Sequence, residues 1–261
     1  HGRSITSSNG NSGKVIIAMA NVTIKDSVGN GRIESTSTSG GSSAAIRVGT
    51  AGTDKDITVT IESGTMKGRD CGIFVAGINS KLVVNGGYIE GTNGFGVSGN
   101  GSMKNGMPEC GPTTITINGG KIIGGGTGIY HPQVGELTIH NGEITGKTGI
   151  EIRSGRLIVN GGVITATGNP TSTDPNGNGS TTVGAAIAVV QHTTKQRINV
   201  EINGGSFNGE SALYEANPQD NPEDATKNVG IVVNGGTFNG AVNKAEDGSS
   251  LGVMGGTFNT D

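Results

Sequence analysis

Polar, charged and aromatic residues suited to recognising or cleaving a polymer collect in a few short stretches. These are Tyr130, His131 and Gln133, then Glu151 and Arg153, then Gln191, His192, Tyr214, Glu215 and Asn217. The chemistry open to them is narrow. Tyr130 and Tyr214 can lay ring faces against the apolar faces of sugars. Glu151, Arg153, His131 and His192 can bond hydroxyls or a uronate carboxylate. The same set could instead work as a catalyst: Glu151 or Glu215 as acid or base, Arg153 to neutralise a carboxylate, and His131 or His192 to move a proton. Glycoside hydrolysis needs two carboxylates about 5–9.5 Å apart. Glu151 and Glu215 lie two repeats apart, roughly 10 Å at ordinary strand spacing before side-chain reach is counted, which is marginal. The bland reading stands beside both. Tyrosine is common in strands for packing alone, and Glu151 and Arg153, two apart on one strand face, could be a surface ion pair contributing ~0–1 kcal/mol. No Ser/His/Asp arrangement, HExxH or CxxC occurs.

What must position these residues is an internal repeat. Turns end at Gly64, Gly87, Gly120, Gly142, Gly162, Gly205, Gly236 and Gly256. Two residues after each comes Met66, Ile89, Ile122, Ile144, Ile164, Phe207, Phe238 or Phe258. Before each comes a pair of apolar residues spaced by two, such as Val59/Ile61, Ile115/Ile117 or Ile231/Val233. Spacing of two is strand periodicity, one face to a core and one to water. A third short strand follows, with inward residues Ile46, Ile73, Phe95, Ile129, Ile150, Ile187, Leu213 and Val242, each preceded by Gly or Ala. Its outward positions read Arg47, Phe74, Gly96, Tyr130, Glu151, Ala188, Tyr214 and Asn243.

Three short strands in a bare repeat of about twenty residues predict an all-β chain: a right-handed, single-stranded parallel β-helix, or solenoid, of about eight to nine coils. Asn85, Asn118, Asn160, Asn203 and Asn234 precede the turns and are expected to form a structural amide ladder. His131 and Glu215 fall where other coils place a second inward aliphatic. Either the strand ends early and both swing outward, which Pro132 favours, or they are buried and bonded.

The chain reads as a single domain, 1–261, with residues 1–21 as an N-terminal cap, 22–56 as an irregular first coil and 57–261 as regular coils. Insertions near 99–113, 168–182 and 216–228 are rich in turn formers. Two leave the third strand and one enters it, so they would wall a trough on that face. The 261 residues include 50 Gly, five Phe, three Tyr and no Trp. In an aperiodic chain this composition would suggest disorder; the repeat overrides it.

Net charge is −3 with both signs scattered. Without a basic stripe or interleaved aromatics, nucleic acid is not an expected partner. The longest apolar run, 15–20, is too short to span a membrane. The chain starts at His1 and has no amphipathic cap after Phe258, so it is expected to be part of a longer, multidomain protein. Cys71 and Cys110 read as isolated thiols, with a disulfide as the alternative if 99–113 folds back. No metal-ligand motif is present and no cofactor is expected. Calcium is a secondary reading at Asp54 and Asp56 or along Asp220–Asp224.

Residues 82–91 (LVVNGGYIEG) and 114–124 (TITINGGKIIG) resemble right-handed parallel β-helix proteins of the pectate-lyase-like superfamily. Residues 128–133 (GIYHPQ) through 149–153 (GIEIR) look like Gly-rich repeats in large surface proteins of gut-type Gram-positive bacteria. The resemblance implies a secreted or cell-surface protein. It implies no particular activity, since this superfold hosts lyases, glycosidases, esterases and adhesins alike. The Asp cluster of the lyases and galacturonases is missing from the third-strand face. The favoured expectation is therefore a non-catalytic carbohydrate-binding or adhesive module for a polysaccharide or glycan. A polysaccharide lyase or glycoside hydrolase, and a ligand-free stalk, are the alternatives.

Overall fold

A computed structural model describes residues 3–7, 13–38, 43–168 and 184–259. Among these residues the chain is nearly all-β, with one short helix at Glu223–Thr226. Its strands fall into three parallel ladders. Each repeat adds one strand to each, and equivalent residues pair rung by rung. The first ladder runs from Val22–Ile24 through Thr58–Ile61, Thr113–Ile117 and Gly155–Val159 to Ser250–Val253. The second carries Met66, Ile89, Ile122, Ile144, Ile164, Phe207, Phe238 and Phe258 in a single column. The third includes Cys71–Val75, Phe95–Ser98, Thr127–His131, Thr148–Ile152 and Ala185–Val190. Ser206–Ala216 runs unbroken through the second and third, joining them into one 17-stranded sheet; the first is a 9-stranded sheet.

One continuous apolar core lies between the ladders, from Ala18 to Phe238. Its rungs repeat like on like. Phe207, Phe238 and Phe258 stack with ring centroids 4.7 and 4.8 Å apart, the ordinary spacing of adjacent strands. All eight turn glycines sit at φ between 90 and 119°, a region closed to residues with a Cβ. At Gly128 the constraint is space: a Cβ would lie 2.6 Å from the carbonyl oxygen of Gly149 and 2.7 Å from Ile144 Cγ2. Gly72, Gly96 and Gly149 are as tightly enclosed, and where other rungs have room it is for no more than the methyl of Ala45, Ala186 or Ala212, each fully buried.

The amide ladder forms as expected: Asn118 donates to Asn85 (2.8 Å), Asn203 to Asn160 (3.0 Å) and Asn234 to Asn203 (2.8 Å). His140 takes the place of an asparagine beside Asn160. A second ladder, Asn208, Asn239 and Asn259, runs down the second sheet.

Several expectations change. In the third strand, Phe95 pairs with Cys71 and Thr127, while Val97 takes the column of Ile73 and Ile129. Phe95 is therefore not an inward core residue, and Ser98 rather than Gly96 is the outward neighbour of Phe74 and Tyr130. Within the stretch read as an N-terminal cap, Ser4–Ser7 pairs with Arg32–Ser35, and Lys14–Ala18 with Ala44–Val48. Within 22–56, Val22–Ile24 pairs with Val59–Ile61, Arg32–Glu34 with Thr65–Lys67, and Ala44 and Ile46–Val48 with Cys71 and Ile73–Val75. The 99–113 insertion contains a small hairpin, Met103–Lys104 against Met107–Pro108, and most of 168–182 lies outside the described residues. Cys71 and Cys110 are both free and buried. Burial holds their thiols up at about 12 and about 11, so neither is an activated nucleophile. Among the described residues no helix is long and apolar enough to cross a membrane.

Candidate functional site

The third-strand face carries a cleft of about 430 Å³. Its floor is aromatic. Phe74 and Phe95 are both half-buried, and the Phe95 ring stacks on Tyr130 with centroids 4.9 Å apart and planes at 21°. Asp70, Ser98 and His192 stand at the margin, and the start of the 99–113 insertion, Gly99 to Ser102, forms one wall. The strands place these rings by register alone: Phe74, Ser98 and Tyr130 occupy successive rungs of one column, and Cys71, Phe95 and Thr127 those of another. A second cleft, of about 400 Å³, lies against the first rungs among Ile5, Ile16, Ile24 and Ile33 and has no aromatic ring in its lining.

The ten residues singled out in the sequence separate into groups. Tyr130 and His192 border the cleft. Glu151 and Arg153 are fully buried beneath the same face. Arg153 Nε lies 3.8 Å from Glu151 Oε1, and the guanidinium also reaches the Tyr130 hydroxyl (3.4 Å) and the Gln191 carbonyl oxygen (3.5 Å). The expected exposed ion pair is thus a sealed one, and Arg153 has no path to a ligand carboxylate. Burial pushes the Tyr130 hydroxyl up to about 12, against the pull of the neighbouring Arg153 charge.

Gln191 and Asn217 tie down the 216–228 insertion. Gln191 Nε2 donates to Asp247 Oδ2 (2.5 Å), and Asn221 Nδ2 donates to the His192 carbonyl oxygen (3.0 Å). Asn217 and Asn221 bond each other through side chain and backbone, both at 2.9 Å. Tyr214 packs half-buried against a small cluster of Ala185, Ala188 and Val190.

Glu215 pairs with Val189, which in turn pairs with Ile152. Strand alternation therefore turns Glu215 inward, while Glu151 shares the outward column of Ala188 and Tyr214. Glu215 Oε2 accepts from the Ala245 amide (3.0 Å) and Ser249 Oγ (2.9 Å). Burial, then the nearby Asp247 charge, raises its pKa. The two candidate acid/base carboxylates lie on opposite faces of the sheet and cannot flank one glycosidic bond.

His131 does not swing outward. The strand continues through it to pair with Ile152, and both ring nitrogens are buried without a hydrogen-bond partner. Gln133 folds inward beside it, its Nε2 donating to Thr113 Oγ1 (3.0 Å). The side chain fills the space a Cβ on Gly99 would take, 1.8 Å from such an atom.

Burial alone lowers His131 from 6.5 to about 4. The unfolded chain then takes up the proton first, so this contribution to stability is complete above pH 6.5 and is lost as pH falls from 6.5 toward 4. The gap corresponds to roughly 3 kcal/mol. Glu215, with its raised pKa, slopes the opposite way, so the parent must be compared with His131→Leu. That variant is expected to be more stable at pH 7, because two unbonded ring nitrogens leave the core, and to lose the acid-dependent fall in urea denaturation between pH 7 and 4. An unchanged slope would place His131 in contact with solvent.

Phe74, Phe95, Ser98 and Asp70 were missed as site residues. The signal was present: Cys71-Gly72-Ile73, Phe95-Gly96-Val97 and Thr127-Gly128-Ile129 share one small-residue phase. Of the calcium candidates, Asp56 is bridged to Lys81 at 2.8 Å and Asp54 accepts from Asn79 at 2.7 Å. No group of three or more His, Cys, Asp or Glu suited to a metal occurs among the described residues. Comparison of the chain with family models, curated proteins and solved structures finds no match.

Proposed function

We propose that the three ladders wind as a right-handed parallel β-helix and that the protein is a non-catalytic glycan-binding or adhesive module of a secreted or cell-surface protein. Right-handed winding is supported by the strong preference of parallel strand connections for that hand. The placement outside the cell rests on the resemblance of the Gly-rich repeats to those of surface proteins. The binding role rests on one observation: Phe74, Phe95 and Tyr130 line one cleft, rimmed by polar groups, on an otherwise aromatic-poor molecule. Flat rings beside hydroxyl-bonding groups suit a sugar, which presents apolar C–H faces and polar edges together. The ligand is a polysaccharide or oligosaccharide held along the third-strand face.

A glycan array, followed by product analysis on each hit, tests this. Binding with the glycan recovered at its original length is expected. Shortened or unsaturated products would make the protein a lyase or hydrolase, and no binding to any glycan would leave a structural stalk.

A further inference from the structure

Arg47 pairs directly with Phe74 in the third-strand ladder, and its guanidinium carbon lies 5.7 Å from the Phe74 ring centroid. Lys14 opens the rung before, aligned through Ala44 with Cys71 and Phe95. The two cations therefore extend the two columns that form the aromatic floor. Among the described residues neither makes an ion pair. Asp70, the acid on the cleft wall, is already committed: Oδ2 accepts from the Ser43 amide (2.8 Å) and hydroxyl (3.1 Å), and Oδ1 faces Arg69 at 3.2 Å. Arg47 Nε is buried with no hydrogen-bond partner.

We propose that Arg47 and Lys14 form an anion subsite at the end of the aromatic cleft, so that the saccharide it takes is acidic, with a carboxylate or sulfate group against Arg47 and a ring face on Phe74 and Phe95. This rests on the glycan-binding reading and adds the charge class of the ligand. Two neighbouring cations, faced by an Asp70 carboxylate already bonded to Ser43 and Arg69, raise the local potential for an anion. The Lys14 ammonium is held below its ordinary range by partial burial and then by the charge of Arg47, and a bound anion would relieve that repulsion. An arginine over a ring also presents its planar fork in a fixed orientation, which matches carboxylate and sulfate geometry.

The test is calorimetric titration with hyaluronan tetrasaccharide (carboxylate), a chondroitin sulfate tetrasaccharide (carboxylate and sulfate) and cellotetraose (neutral), against parent, Arg47→Gln, Lys14→Gln and Phe74→Ala. The acidic sugars are expected to bind about tenfold or more tightly than the neutral one, with the preference weakening at high salt. Arg47→Gln should remove the preference while leaving neutral binding within about twofold; Phe74→Ala should weaken all three. Lys14→Gln serves in its place if Arg47→Gln fails to fold. The two acidic sugars separate carboxylate from sulfate recognition. Equal binding of cellotetraose, or an acidic preference that survives both charge substitutions, overturns the subsite and leaves the glycan-binding reading standing. Binding of no saccharide at all removes both.

Discussion

Ile144→Asp is expected to abolish folding. Ile144 is fully buried in the second-strand column between Ile122 and Ile164. The substitution removes a branched aliphatic side chain from a close-packed stack, about 2–5 kcal/mol by itself, and leaves a carboxylate with no cation or donor aimed at it. Each rung contacts its neighbours, so a failed rung also unseats those on either side. Val163→Lys is the matched control: Val163 is one residue from Ile164, 43% exposed, and paired with Glu143, so the new charge meets water and a carboxylate. It is expected to shift stability by no more than about 0.5 kcal/mol. Circular dichroism and thermal melts check both, and equal melting temperatures would invert the inward and outward assignment.

The second large effect concerns a residue the sequence alone treats as exposed. Glu151→Gln is expected to cost about 3–5 kcal/mol, because it strands a buried guanidinium. Glu151 and Arg153 are both fully buried, and Arg153 also holds the Tyr130 hydroxyl and the Gln191 carbonyl. Removing both charges, as in Glu151→Gln with Arg153→Met, is expected to recover most of the loss, since a buried pair costs most when only one member is deleted. Urea denaturation of the single and double variants measures this. A single variant within 1 kcal/mol of the parent would return the pair to an ordinary surface contact.

The contrast between these predictions shows where the sequence was legible. The repeat phase identified Ile144 as inward because strand alternation and turn glycines recur in step, and local rules suffice for that. The asparagine ladder was readable for the same reason. Phe95 was misplaced because its strand begins two residues before the inward residue. Counting from the last glycine put a ring where the ladder puts Val97. His131 looked like a strand end because Pro132 follows, yet the rung carries on through it. The missing side chain of Gly99 makes room for Gln133, two residues further on. Glu151 and Arg153 looked exposed because outward positions on a repeat usually are. What covers an outward face comes from residues far away in sequence, such as Gln191 and the loop pinned by Asn221, and no period records them.

The central claim is that ligand recognition sits on the third-strand cleft. It is tested most directly by the affinity of Phe74→Ala, Phe95→Ala and Thr116→Ala for whichever glycan binds the parent, measured by calorimetry at equal thermal stability. Phe74 and Phe95 form the cleft floor, and Thr116 lies on the outward face of the first ladder between Ile115 and Ile117. Each lost stacking ring is expected to weaken binding about tenfold, near 1.5 kcal/mol, with Thr116→Ala indistinguishable from the parent. Unchanged affinity in both phenylalanine variants, or a loss confined to Thr116→Ala, would contradict the account and move the site to another face.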